Sequence, residues 1–350
     1  MQTQGSMRLP YLEFTPAIGE SAVLAPSAVI AGRTTAGAGL MLCEFSTLRA
    51  DGEAIHIGAN AFFGRRATAH IAEGVYSTTV GDDVTVGRFG LVHACTLADG
   101  VVVADAATVM DGAIVGAHAL IMPGSVVPPR KTLAGAMVYA GSPAIPVRTI
   151  ERVELARYHA ALRAGNGVES VAPAQLPSLT HPAAVSGAAQ PSRHSASFVA
   201  ATAALAGRVE MAQDAGIYFA CVVDAGDARI ALGARTNVQD NSILVTDRRR
   251  GDLVIGDDVT IGHNVRMGSG TVGHRSLVGM GAIVGDHVVV EEGAGIGAGA
   301  HVEPGTRVPS GWIYAGRPAK PFRELRPGER EGFADIIAIY AHYSAVYRSG

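Results

Sequence analysis

An aliphatic residue recurs at every sixth position over long stretches of this chain, and few folds accept that period. Val80, Val86 and Val92 are six apart, and after one shortened step the series runs through Leu97, Val103, Val109, Val115, Ile121, Val127 and Leu133. A second series runs Ile255, Ile261, Met267, then Val272, Val278, Val284, Val290, Ile296, Val302 and Val308. Such spacing matches neither the helical period of ~3.6 nor the strict alternation of a half-buried strand. It suits a solenoid of short parallel strands, three to a coil, with the aliphatic side chains stacked inside a triangular prism. Glycine usually follows the ladder residue and is expected at the tight corners, where positive φ is cheap without a Cβ. Each strand would pair with the coils above and below, so only the end coils present open edges.

The composition agrees. The 44 glycines among 350 residues would weaken a predominantly helical protein. A hydrophobic content of 48 % with a net charge of -3 can bury a core and argues against disorder. That near-neutral balance offers no electrostatic footprint for nucleic acid or an anionic membrane. Cys43, Cys95 and Cys221 follow no metal or disulfide spacing. No uncharged apolar run reaches ~18 residues, and Met1 to Pro10 lacks a signal-peptide layout. The expectation is a cytoplasmic chain with a small-molecule substrate and neither nucleic acid nor membrane as partner.

The ladder occurs twice because the chain is duplicated. Residues 80–97 read VGDDVTVGRFGLVHACTL and residues 255–272 read IGDDVTIGHNVRMGSGTV, an offset of 175. The same offset pairs Gly32-Arg33 with Gly207-Arg208 and Tyr139-Ala140-Gly141 with Tyr314-Ala315-Gly316. Ile150 to Arg163 and Arg330 to Arg348 read as amphipathic helices. Gly165 to Ser195 is rich in Ala, Pro, Ser and Gly and reads as a linker. The predicted fold class is therefore an all-β solenoid of two tandem parallel β-helices, each followed by an α-helix. The predicted domains are residues 1–164 and 196–350, joined by a flexible linker at 165–195.

The chain resembles the gamma-class carbonic anhydrase-like branch of the left-handed β-helix hexapeptide superfamily. In the first half the resemblance is carried by Leu48-Arg49-Ala50-Asp51, Ile57-Gly58-Ala59-Asn60, His70, His93-Ala94-Cys95-Thr96 and the Tyr139-to-Ala144 ending. In the second it is carried by Asn237-Val238-Gln239-Asp240, Ile261-Gly262-His263, Val278-Gly279-Met280-Gly281 and the Tyr314-to-Ala319 ending. Both halves are covered, the linker is not. The hexapeptide ladder is shared with acyltransferases, and the histidine pattern is the more specific signal.

The resemblance implies left-handed coils and trimeric association, with a metal ion, usually zinc, between neighbouring prisms. Three histidines hold it, two from one prism and the middle one from its neighbour. Three neutral imidazoles with one open position suit a catalytic zinc. The first half keeps the first and third ligands as His70 and His93 but has Arg88 in the middle position. The second half keeps only the middle ligand, His263, with Val245 and Gly268 at the others. Neither half alone completes the set, whereas the two together do.

Charge reversals point the same way. The first half keeps the family's Arg49 and Asp51 but replaces its Gln-Asp pair with Gly64-Arg65. The second keeps Gln239-Asp240 but has Asp224 in the arginine's place and Gly226 for the first Asp. If the family's pairing between prisms carries over, contacts between like halves set Arg49 against Arg65 or Asp224 against Asp240. Mixed contacts set Arg49 with Asp240 and Arg65 with Asp224. Like-charge contacts in an interface cost several kcal/mol, so an oligomer built through half-to-half contacts is expected.

What the resemblance implies is zinc-hydroxide attack on carbon dioxide or a related electrophilic carbon, in a carbonic anhydrase-like zinc lyase. Its metal ligands would be His70, His93 and His263, for zinc or another divalent ion. Gln239 would position the reacting water, and Arg49, Asp51 and Asp240 would support the site. Two alternatives stay open: a hexapeptide-fold enzyme acting on an acyl thioester or other small molecule in the same groove, and a non-catalytic assembly subunit. The Arg248-Arg249-Arg250 run reads as a solvated loop.

Overall fold

A computed structural model describes residues 6–165 and 190–349. The chain divides into two compact units, Met1–Leu176 and Pro177–Gly350. Most of the predicted linker, residues 166–189, lies outside the described residues. Its last part does not read as linker: the strand Ser192–Arg193 pairs in parallel with Glu210 and Met211, so the second solenoid starts there.

In the first unit, short parallel strands stack coil upon coil along three faces. The long strand Thr47–Ile57 turns a corner: Arg49 pairs with His70 on one face and Ile55 with Thr78 on the next. A third face runs from Val23–Leu24 through Met41–Leu42, Phe62–Phe63, Thr85–Val86, Val102–Val103 and Leu120–Ile121 to Met137–Ala140. The aliphatic ladder is what stacks. Val80 pairs with Leu97, Leu97 with Val115 and Val115 with Leu133. All four are buried, each contributing about 1.5–3 kcal/mol by leaving water. The one shortened step in the sequence is absorbed between the first two of these rungs.

The antiparallel strand Ile145–Thr149 ends the stacking of that face. The helix α1 (Arg152–Arg163) then lies back on it, with Leu155 and Leu162 against Val102, Ala104, Leu120 and Val138. The second unit repeats this plan and ends in α2 (Glu329–Ser349). There Tyr218 donates its hydroxyl proton to the Tyr340 carbonyl at 2.6 Å, with Ser344 Oγ at 2.7 Å. Arg148 forks onto Glu154 in the first unit, and 175 residues later Arg323 forks onto Glu329. The duplication thus extends to the ion pair that seats each helix. Among the described residues no helix is long and apolar enough to cross a membrane.

The expectation for the corner glycines holds in part, since Gly100, Gly112, Gly124 and Gly293 take positive φ of 64 to 70°. Many left-handed corners carry a side chain, as at Asn60, Asp83, His118, Asp258 and Asn264, with φ of 55 to 59°. The glycines after the ladder residues serve close stacking instead. A Cβ on Gly87 would lie 2.7 Å from Asp105 N, and one on Gly262 would lie 2.7 Å from Met280 N. Adjacent coils pass too near each other there for a side chain.

Candidate metal centre

In the first unit the coil period sets three candidate side chains in one column. Arg49, His70 and His93 are successive partners in parallel register. His70 Nδ1 lies 3.2 Å from His93 Nε2, the rings 5.2 Å apart between centroids. His93 turns its other nitrogen to a carboxylate, with Nδ1 2.6 Å from Asp111 Oδ1. An Nδ1–H donated to Asp111 leaves Nε2 as a lone-pair acceptor facing His70. Arg49 is fully buried and paired with the equally buried Asp51, two residues along its own strand.

Two further first-unit arginines, Arg88 and Arg65, are engaged locally. Arg88 lays its guanidinium on Asp105, Nε to Oδ2 at 2.9 Å and Nη2 to Oδ2 at 2.5 Å, while its amide donates to Oδ1. Arg65, partly exposed, reaches Glu44 at 3.4 Å.

In the second unit, His263 is fully buried, with Nδ1 3.2 Å from Asp240 Oδ2 and Nε2 3.1 Å from the Tyr340 hydroxyl of α2. Asp240 also accepts from Phe219 N at 3.0 Å, which fixes its side chain. Gln239 is buried beside Asn237, donating through Nε2 to Asn237 Oδ1 at 3.2 Å. Asp224 accepts from Gly226 N at 2.9 Å.

Comparison with known proteins identifies this pattern. Protein YrdA of Escherichia coli (strain K12) is 39 % identical over 159 residues, which cover 43 % of this chain and 86 % of that protein. The chain belongs to the gamma carbonic anhydrase/YrdA-like family of hexapeptide β-helix proteins. The mitochondrial gamma carbonic anhydrase 3 of Arabidopsis thaliana is 34 % identical over 98 residues, 27 % of this chain and 38 % of the plant protein. The match therefore spans well under half of that relative. A putative acetyltransferase from Desulfovibrio desulfuricans G20 shares the fold, with a TM-score of 0.51 at 12 % identity, covering 94 % of this chain and 79 % of that one. No family model matches the chain.

Family membership gives meaning to what the second unit lacks. Gly268 stands 175 residues after His93, and Asp286 stands 175 after Asp111. Asp286 now holds Arg250, whose Nε lies 3.1 and 3.0 Å from its two oxygens, while Arg250 Nη1 donates to the Val245 carbonyl at 3.2 Å. The guanidinium thus sits beside both positions, Val245 and Gly268, that would carry the family's histidines. Arg250 is anchored, contrary to the reading of residues 248–250 as a solvated loop.

Cys95 is fully buried, and burial pushes its thiol well above the usual range, as suits a packing residue. Sequence reasoning missed Asp111, Asp105, the Arg250–Asp286 pair and Tyr340. Even the first was hidden: Asp111 follows His93 by 18 residues, one past the 17-residue coil that pairs Leu91 with Thr108 and Val92 with Val109.

Proposed function

We propose that the protein is a metal-dependent lyase of the gamma carbonic anhydrase kind with one composite site. Its ligands are His70 and His93 of the first unit and His263 of a second unit, from this chain or another copy. The observation that carries the reading is the buried His70–His93 pair, with the outer nitrogen of His93 held by a carboxylate. We infer that His263 of a second unit completes the set, and three neutral imidazoles suit zinc. Each unit by itself falls short of three histidines at the family positions, which favours division of the ligands between units.

When bound, zinc or another divalent ion would supply the Lewis acidity that activates a water toward carbon dioxide. The chain's own residues do the rest. His263 Nδ1 lies beside Asp240, and Nε2, which faces the Tyr340 hydroxyl, is the atom that would be offered to a metal. Gln239, steadied through its Nε2 by Asn237, keeps Oε1 to accept a hydrogen bond from the reacting water and aim it. The buried Arg49–Asp51 pair stiffens the strand beside His70. Assembly between unlike units sets Arg49 with Asp240 and Arg65 with Asp224, opposite charges both ways, and the oligomer forms through those contacts.

Metal content measured by plasma mass spectrometry tests the ligand set. Wild-type protein is expected to carry stoichiometric zinc, and His70→Ala, His93→Ala and His263→Ala each to lose it. Full zinc in His263→Ala would sink the composite set. Stopped-flow carbon dioxide hydration then tests the substrate, and a zinc-loaded protein without that activity would exclude it.

A further inference from the structure

We propose that Asp111 is a positioning residue for His93: it holds the imidazole in the Nδ1–H tautomer so that Nε2 is kept as a ligand. The inference rests on the composite-site reading for its metal and on geometry within the first unit for the rest. His93 has little freedom, buried with Nδ1 2.6 Å from Asp111 Oδ1 and Nε2 3.2 Å from His70 Nδ1. The carboxylate can only accept, so Nδ1 carries the proton. His93 Nε2 is then a bare lone pair, and the His70 Nδ1–H is the donor to it. A carboxylate behind a metal-bound histidine fixes ring orientation and raises ligand basicity.

The second unit supplies an independent observation. Asp286, the counterpart of Asp111, also has a proton-donating neighbour although position 268 is glycine, and that neighbour is Arg250. A Cβ at Gly268 would lie 2.1 Å from Asp286 Oδ1. The carboxylate occupies space that a side chain at position 268 would need and holds a guanidinium there. In both units it is therefore the partner of whatever positive or proton-donating group occupies this edge.

Two measurements on the full chain test the proposal. In the metal-free protein near pH 8, where imidazoles are neutral, long-range proton–nitrogen NMR reports the His93 tautomer, assigned with His93→Gln. Nδ1–H is expected in wild type and in Asp111→Asn, whose amide oxygen still accepts, and a shift toward Nε2–H is expected in Asp111→Ala. Zinc affinity by chelator competition should fall about 10- to 100-fold in Asp111→Ala, with partial rescue in Asp111→Asn. An Nε2–H tautomer in wild type, or an unchanged tautomer in Asp111→Ala, overturns the proposal and leaves the composite set standing. Wild-type zinc affinity in His263→Ala alongside a loss in Asp111→Ala overturns the composite set and leaves Asp111 in its role.

Discussion

Removing one member of the Arg49–Asp51 pair should be among the costliest single changes in the first unit. Both side chains are completely shielded from solvent and in direct contact. In Asp51→Ala the buried guanidinium loses its partner on the same strand, and breaking a buried pair this way costs up to about 3–5 kcal/mol. That is roughly 150- to 5,000-fold in the unfolding equilibrium, since about 1.4 kcal/mol is tenfold. Arg49→Ala should cost a similar amount, with a cavity added where the long side chain lay. Replacing both together, Arg49→Met with Asp51→Leu, removes the two charges at once and should recover most of the loss. Urea unfolding followed by circular dichroism on the four proteins compares the losses. Arg49 is the register partner of His70, so the single variants should also bind zinc more weakly. Single variants within about 1 kcal/mol of wild type would refute the assignment of a desolvated, mutually dependent pair.

Two further outcomes follow from the coil geometry and the helix anchors. Gly279→Ala should destabilise by about 1–3 kcal/mol, because its Cβ would lie 2.5 Å from Ala298 N in the next coil. Gly332→Ala, inside α2 with open space around it, should stabilise by about 0.5–1 kcal/mol, and thermal unfolding of the two variants reads the opposite signs. The Glu329 carboxyl is held down to about 2, chiefly by its hydrogen bond from Arg323. A depressed carboxyl contributes stability that is complete above its ordinary value of 4.5 and lost as pH falls toward 2. The pair is partly solvated, so the contribution is about 1 kcal/mol or less. Acid titration of stability in wild type and Glu329→Gln should converge at the bottom of that window, and parallel curves across it would count against the anchor.

The ladder, the duplication and the closing helices were legible because each is a periodic or local property. An aliphatic residue every six positions leaves one stacking solution, and stacking requires no knowledge of any other segment. The three histidines were legible for a different reason, as motif residues of a recognisable family. The partners were not. His93 and Asp111 are 18 residues apart, Arg88 and Asp105 are 17, and Arg250 and Asp286 are 36. Coil winding brings such residues together at an edge, but which of them meet depends on where the shortened steps fall and on how each side chain turns. The glycines show the same limit. A sequence reports that the position tolerates no side chain, and only the stacked coils reveal that the obstacle is the backbone of the next coil, not the dihedral angle of the glycine itself. The sequence alone therefore determined the solenoid, its repetition and the candidate ligands. The tertiary structure decided what holds those ligands in place, because hydrogen bonds between coils form only once the winding has set which edges face each other.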